Sequence, residues 1–295
     1  KIFDPDEAEQ LRSRCQGSEA IVTAVKETEK KVKAPKLYDL TTLQREANRI
    51  YGMTAKQTLD TAQNLYEKKL ITYPRTDSQY LTEDMEQTAR NVVRQIYEKY
   101  QLTGPFDQPE QPDVKKVMNN SKVTDHHAII PTMELSSCHL DELKSWEEKI
   151  LFLIAVHTVM AMSKEHVYQE TEIEVECQGE IFKAKGKTVL QDGWKLFENC
   201  FKNKDRMAIV DPDQEMKEKI PKVTQGQTFY AVAAEKTEHF TSPPKPYSED
   251  TLLAAMETAG NKEFDEDTEK KGLGTPATRA GIIEKLIYSQ YATRK

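Results

Sequence analysis

The chain has 295 residues, 37% hydrophobic and 31% charged, with a formal net charge of −7. That length accommodates two or three domains, and the polar balance fits a globular protein with much surface. It excludes a protein built on membrane-spanning helices, because the longest apolar run, Ile150 to Met162, is broken by His157 and Thr158 and falls short of the ~20 residues a span needs. The acidic balance also weighs against a nucleic-acid partner, whose binding domains usually carry a basic footprint, although net charge does not describe a single groove.

The chain opens Lys-Ile-Phe-Asp-Pro-Asp, without an apolar signal region. It also has no initiator Met, as expected of a piece of a longer protein. Residues 4–16 predict a helix, with Asp4 or Asp6 near its start and Gly17 as its stop. From Glu19 to Val32 apolar and other residues alternate as in a strand covered on both faces. Lys30 to Lys36 is a basic link containing Pro35. Leu40 to Tyr51 predicts a helix capped by Thr41 or Thr42, with Leu43, Ala47 and Ile50 inward and Gly52 beyond its end. Thr54 and Gln57 form a capping box for a helix carrying Leu59, Ala62, Leu65, Tyr66 and Leu70. Thr82 caps a further helix, whose inward face runs from Met85 through Ala89, Val92, Val93, Ile96 and Tyr97 to Tyr100.

Residues 101–124, with Pro105, Pro109 and Pro112, predict a long loop. Asp141 to Ser163 predicts a long buried helix that includes Trp146, with His157 as a satisfied core histidine. After Tyr168 the period changes to two. Strands are expected at 171–177, 181–190 and 228–239, with turns at Gly179 and at Asp192-Gly193. Beyond the proline corner at Pro243-Pro244, helices are expected at Glu249–Thr258 and Ala277–Tyr288. The fold class is therefore α+β and multidomain, with a helical domain inserted into an antiparallel β region. The expected boundaries are a first β part at 1–36, a helical domain at 37–167, a second β part at 168–240 and a further helical part at 241–295.

Cys15, Cys138, Cys177 and Cys200 lie far apart with no Cys-x-x-Cys pair, which excludes a sequence-evident zinc ribbon and fits reduced, cytosolic thiols. The informative stretch is Leu70-Ile71-Thr72-Tyr73-Pro74-Arg75-Thr76-Asp77-Ser78, between two helices. Pro74 biases Tyr73 toward extended backbone. On an extended segment Arg75 projects to the same side as Tyr73. A guanidinium fork can hold a phosphate there while a tyrosine oxygen attacks the phosphorus. The bland alternative is a packing tyrosine beside a surface arginine. Asp125-His126-His127 admits a metal ligand pair, a structural turn, or a phosphate contact; no further ligand cluster accompanies it. Gly272-Leu273-Gly274-Thr275-Pro276-Ala277-Thr278 is a glycine-rich approach to a helix start, where free N–H groups favour a phosphate, or else a simple cap. It does not fit a lysine-containing nucleotide loop, so ATP is not expected.

These three stretches, in this order, resemble the signatures of type IA DNA topoisomerases, the bacterial topoisomerase III branch in particular, and the resemblance covers nearly the whole chain. It implies that Tyr73 cleaves single-stranded DNA and keeps the 5′-phosphate as a phosphotyrosyl ester, without ATP, so that strand passage, relaxation and decatenation follow. It implies catalytic roles for Tyr73, Arg75 and His126. It places Gln44, Thr76, Asp77, Ser78, His127, Thr275, Thr278 and Arg279 along the DNA. The family carries Mg2+ on an N-terminal metal-binding domain, nothing like which precedes Lys1, so this chain is expected to be a central fragment: arch, tyrosine domain and part of the DNA gate. The resemblance also implies a bacterial, cytoplasmic, nucleoid-associated protein. Alone, the fragment is expected to be weakly active or inactive. The competing class is a non-catalytic single-stranded DNA-binding module.

Overall fold

The computed structural model describes residues 2–102, 112–198, 221–260 and 272–294. They form two compact units. The sheet unit is built from residues 2–32, 165–192 and 221–245; the helical unit from 33–102, 112–164, 193–198, 246–260 and 272–294. The residues from 246 onward thus group with the helical unit.

In the sheet unit, α1 (Pro5–Cys15) starts at Asp4, whose carboxylate accepts the Asp6 N–H at 2.8 Å. Four antiparallel strands follow: β1 (Ala20–Val32), β2 (His166–Cys177), β3 (Glu180–Gln191) and β4 (Thr228–Phe229), in the order β3-β2-β1-β4. Glu170, Glu172 and Glu174 of β2 stand opposite Lys187, Lys185 and Lys183 of β3, and Glu172 also opposite Lys26 of β1. On the other face Ile173 pairs with Val25 and Ala184, and Val175 with Val22 and Phe182. The alternation therefore separates a charge ladder from an apolar face, as a period of two requires. The strand expected over 228–239 is only two residues long. Ala231 adopts a positive φ of 53°, which no regular strand accommodates. Beyond it Val232 exchanges backbone bonds with Gly17 and Ser18, outside the ladder.

The helical unit begins with α2 (Leu40–Tyr51) and α3 (Ala55–Glu67). Asp39, and not Thr41 or Thr42, caps α2. Its carboxylate accepts the Thr42 N–H at 2.7 Å, and Thr42 Oγ1 accepts the Asp39 N–H at 3.1 Å. The Thr54–Gln57 box of α3 forms as the spacing predicts. A 3₁₀ turn at Glu83–Met85 leads into α4 (Glu86–Tyr100), which buries Ala89, Val92, Val93, Ile96 and Tyr100. Thr82 occupies the cap position before that turn but makes no side-chain cap bond. Part of the expected loop over 101–124 lies outside the described residues; the remainder holds 3₁₀ turns at Val114–Val117 and Asn120–Lys122.

The long apolar helix is α5 (Ser145–Ala161), shorter at its start than expected because Leu140–Glu142 forms a 3₁₀ turn. Every residue from Ile150 to Ala161 is buried, so α5 is surrounded by protein, as a helix apolar on all sides must be. Trp146, at its first turn, is 47% exposed. The main core joins α2, α3, α4 and α5 through residues such as Leu43, Leu65, Ile96, Ile129 and Leu153. A second cluster packs Leu40, Ala55 and Leu59 against α6 (Glu249–Thr258) and α7 (Pro276–Tyr288) through Leu253, Met256, Ala280 and Ile283. No described helix is long and apolar enough to cross a membrane.

Candidate active site

The Tyr73 segment is fixed to its neighbours on both sides of the tyrosine. Upstream, Ile71 and Pro131 form an antiparallel bridge, and the Thr72 N–H donates to Ile130 O at 3.0 Å. Thr72 Oγ1 donates to Ala128 O and accepts the Ile130 N–H, each at 3.0 Å. Downstream, Thr76 Oγ1 donates to His126 O at 2.9 Å, Thr76 O accepts the Leu40 N–H at 3.1 Å, and Ser78 Oγ donates to Lys122 O at 2.8 Å. The five residues from Thr72 to Thr76 are thus held at both ends by bonds to two other chain segments. Such bracketing keeps a reactive side chain in place without packing it away.

The Tyr73 ring is half-buried between two others. Its centre is 4.3 Å from the His126 ring, tilted by 44°, and 5.3 Å from the Tyr66 ring, nearly edge-on at 77°. Arg75 is exposed. It lines a concavity of about 170 Å³ with Thr76, Asp77, Asp125, His126 and Thr275. Tyr73 is not itself among the lining residues; its ring contacts that of His126, which is. The sequence-predicted residues Arg75, Thr76, Asp77, His126 and Thr275 are therefore brought together from stretches about 50 and 200 residues apart.

The α7 start is placed there by its glycines. Gly272 has a φ of 66°, and a Cβ on it would sit 2.3 Å from Met256 O, so no side chain fits. The Leu273 N–H donates to the same carbonyl at 2.7 Å, which ties the loop to α6. Thr275 and Thr278 form a reciprocal capping box: the Thr275 N–H donates to Thr278 Oγ1 at 2.9 Å. Both threonines are exposed.

Other sequence-predicted residues are engaged within the protein. Gln44 is fully buried on α2, its Nε2 donating to Ala55 O at 3.0 Å. Arg279 is buried, with Nε donating to Leu273 O at 3.2 Å and Nη1 to Thr41 Oγ1 at 2.9 Å. The hydroxyls of Thr76 and Ser78 are buried in the bracketing bonds just described. His127 Nδ1 bonds Ala128 O at 2.9 Å. Sequence reasoning assigned Tyr66 to the core, yet it is 39% exposed beside the Tyr73 ring. The signal was available: Leu59, Ala62 and Leu65 define the inward line of α3, and Tyr66 falls one residue off it.

Among the described residues, no group of three or more His, Cys, Asp or Glu side chains is arranged to hold a metal ion. The described residues therefore offer no cluster suited to Mg2+.

The chain is 38% identical to DNA topoisomerase 3 of Bacillus subtilis over all of its own length and 41% of that protein's. It is 34% identical to DNA topoisomerase 3 of Shouchella clausii over all of its length and 40% of that protein's. It thus spans about two fifths of the curated relatives it matches. Its fold is similar to a crystal structure of full-length topoisomerase I from Thermotoga maritima, with a TM-score of 0.70 and 24% identity, covering 100% of this chain and 44% of that one. The profile of the DNA topoisomerase family matches residues 1–295, and the chain belongs to that family, in the type IA class.

Proposed function

We propose that the chain is a central piece of a topoisomerase III-like enzyme that cuts and rejoins single-stranded DNA through a 5′-phosphotyrosyl ester at Tyr73. The observation that carries this reading is the Tyr73–His126 contact at the edge of a concavity that Arg75 and His126 line together. A phosphodiester seated there meets the guanidinium of Arg75, which holds its non-bridging oxygens. Tyr73 Oη forms a bond to phosphorus while the bond from phosphorus to the 3′-oxygen breaks. The phenol gives up one proton and the departing 3′-oxygen gains one. On this reading His126, whose ring centre is 4.3 Å from that of Tyr73, exchanges it. Reversal by the 3′-hydroxyl restores the strand, and because one ester replaces another, no ATP is consumed.

In the whole protein this exchange would open a strand for passage of another, giving relaxation and decatenation. On this reading the Mg2+-binding part of the enzyme belongs to the N-terminal domain that the family carries, and the protein works in the bacterial cytoplasm on the nucleoid. Residues 1–36 and 168–240 serve as the arch, 37–167 as the tyrosine domain and 241–295 as part of the gate. The fragment alone cleaves weakly or not at all.

Covalent capture tests the reading. The chain is incubated with a labelled single-stranded oligonucleotide, with and without magnesium, beside Tyr73→Phe, and denaturation-resistant adducts are counted. A low yield of adduct that vanishes in the variant is the expected result. An equal adduct in Tyr73→Phe would place the nucleophile elsewhere. Robust relaxation of supercoiled plasmid by this chain alone would overturn its reading as a dependent piece.

A further inference from the structure

A second gathering of charge lies on the helical unit, at residues the mechanism does not use. Lys36 Nζ is 5.6 Å and Lys122 Nζ 5.1 Å from the centre of the Tyr80 ring. Both lysines are exposed, and Tyr80 is half-buried. Their backbones are anchored. Lys36 O accepts from His157 Nε2 at 2.7 Å, Lys122 O accepts from Ser78 Oγ at 2.8 Å, and Tyr80 O accepts the Ala128 N–H at 2.9 Å. Several lysines elsewhere on the molecule sit beside carboxylates, as Lys68 does with Glu147, Lys116 with Asp113 and Lys56 with Asp60. Among the described residues neither Lys36 nor Lys122 has an ion-pair partner.

Two ammonium groups held on one ring repel each other, and the negative face of the ring offsets that only in part. An anion shared between them completes the balance. The position favours one kind of anion. Lys122 lies two residues before Thr124, and Thr124 to His126 line the concavity of the candidate active site. A pair of cations beside such a site suits a nucleic-acid single strand, whose phosphates take the charges.

We propose that Lys36, Tyr80 and Lys122 form a phosphate-binding subsite for single-stranded DNA, next along the strand from the phosphate at Tyr73. The proposal rests on the strand-cleaving function argued above.

The test is the salt dependence of binding of a labelled oligothymidylate to the chain carrying Tyr73→Phe, so that no ester forms. For a single strand, every phosphate that the protein ceases to neutralise reduces the steepness of log K against log salt by about 0.7. Lys36→Gln and Lys122→Gln are each expected to reduce it by about that amount and to weaken binding several-fold, while Lys56→Gln leaves it unchanged. A slope unaltered by Lys36→Gln and Lys122→Gln, with binding intact, overturns the subsite and leaves the cleavage reading standing. An equal drop in Lys56→Gln overturns it too, since the effect is then a diffuse field. A parent chain that does not bind the oligonucleotide removes the cleavage reading, and the subsite with it.

Discussion

The two units hold themselves together by different means. The helical unit has a dry core running through α2 to α5, in which Leu43, Leu65, Ile129 and Leu153 are fully or almost fully out of water. Among its described residues the sheet unit clusters Cys15, Ala20 and Cys177, with Leu11, Val175, Val232 and Ala234 partly covered, and buries Val22 and Ile173 outside that cluster. Its strands are long, and much of what they present is charge paired with charge across the ladder. Exposed ion pairs contribute little to stability, so the sheet depends on its backbone ladder. A side chain that must be placed to within an ångström needs the first kind of support, and Tyr73 is found there.

That contrast can be broken first in the core. Leu65→Ala or Ile129→Ala is expected to destabilise the helical unit by about 2–5 kcal/mol through lost burial and a residual cavity. Phe182→Ala, on the apolar face of the sheet but 43% exposed, is expected to cost less than about 1 kcal/mol. Denaturant titration followed separately in the two units checks both. A Phe182→Ala cost equal to that of Leu65→Ala would mean that the sheet has a core of its own strength.

A smaller effect is expected at Glu147, a buried carboxylate that accepts from Lys68 Nζ at 2.7 Å and from the Lys144 N–H at 3.0 Å. Burial pushes this carboxyl up, but the bonds from Lys68 and Lys144 outweigh it and hold the group below its usual range. Lys68→Ala leaves the backbone bond in place, so about 1 kcal/mol of stability is expected to go. Glu147→Gln made together with it should recover part of that loss, because no charge is then left buried.

Acidification sharpens the comparison further. His157 is buried in the helical unit, stacked on Tyr38 at 3.7 Å, with Nε2 on Lys36 O and Nδ1 3.8 Å from Glu46. Burial lowers its pKa, against the pull of the Glu46 carboxylate and the Lys36 carbonyl, with Arg49 adding to the lowering. The unfolded chain then takes up the proton first as pH falls below about 6.5, so the stability this histidine contributes above that pH declines on acidification. Melting of the helical unit followed between about pH 7.5 and 5.5 should show that slope, and His157→Gln should flatten it. An unchanged slope would assign the dependence to another group.

The smallest effect is expected on the charge ladder. Lys185→Gln removes an exposed partner of Glu172, and the melting temperature of the sheet unit should not change measurably.

How much of this was legible in the sequence depended on whether the deciding interaction was local. The Thr54–Gln57 cap was legible because both partners lie within one turn. The cap of α2 was not, since Asp39, Thr41 and Thr42 are all good caps, and the choice is made by Asp39 lying on extended backbone within reach of Thr42. The exposure of Trp146 was not legible, because a helix apolar on every side offers no phase from which to read an outward position. The short β4 turns on one positive φ at Ala231, a residue with no sequence preference for it.

At the site, the convergence of Arg75, His126 and Thr275 is a long-range fact, and only the resemblance of three separate motifs anticipated it. A motif also fixes positions more surely than roles. It implied DNA contacts at Gln44, Thr76, Ser78 and Arg279, whose side chains are here buried and bonded to protein. Tyr66, which no motif supplied, stands beside the Tyr73 ring.

The pairing of β1 with β2 has one more consequence. Val32, the last residue of β1, is in register with His166, the first of β2, although more than a hundred residues of chain separate them. The whole excursion therefore departs from and returns to one rung of an antiparallel ladder. A two-residue Asn-Gly turn is what ordinarily closes such a rung. The sheet thus contains a natural splice point: replacing residues 33–165 by that turn would leave an uninterrupted hairpin. In the grammar of the chain, residues 33–165 are a clause inserted at a single point of the sheet's sentence.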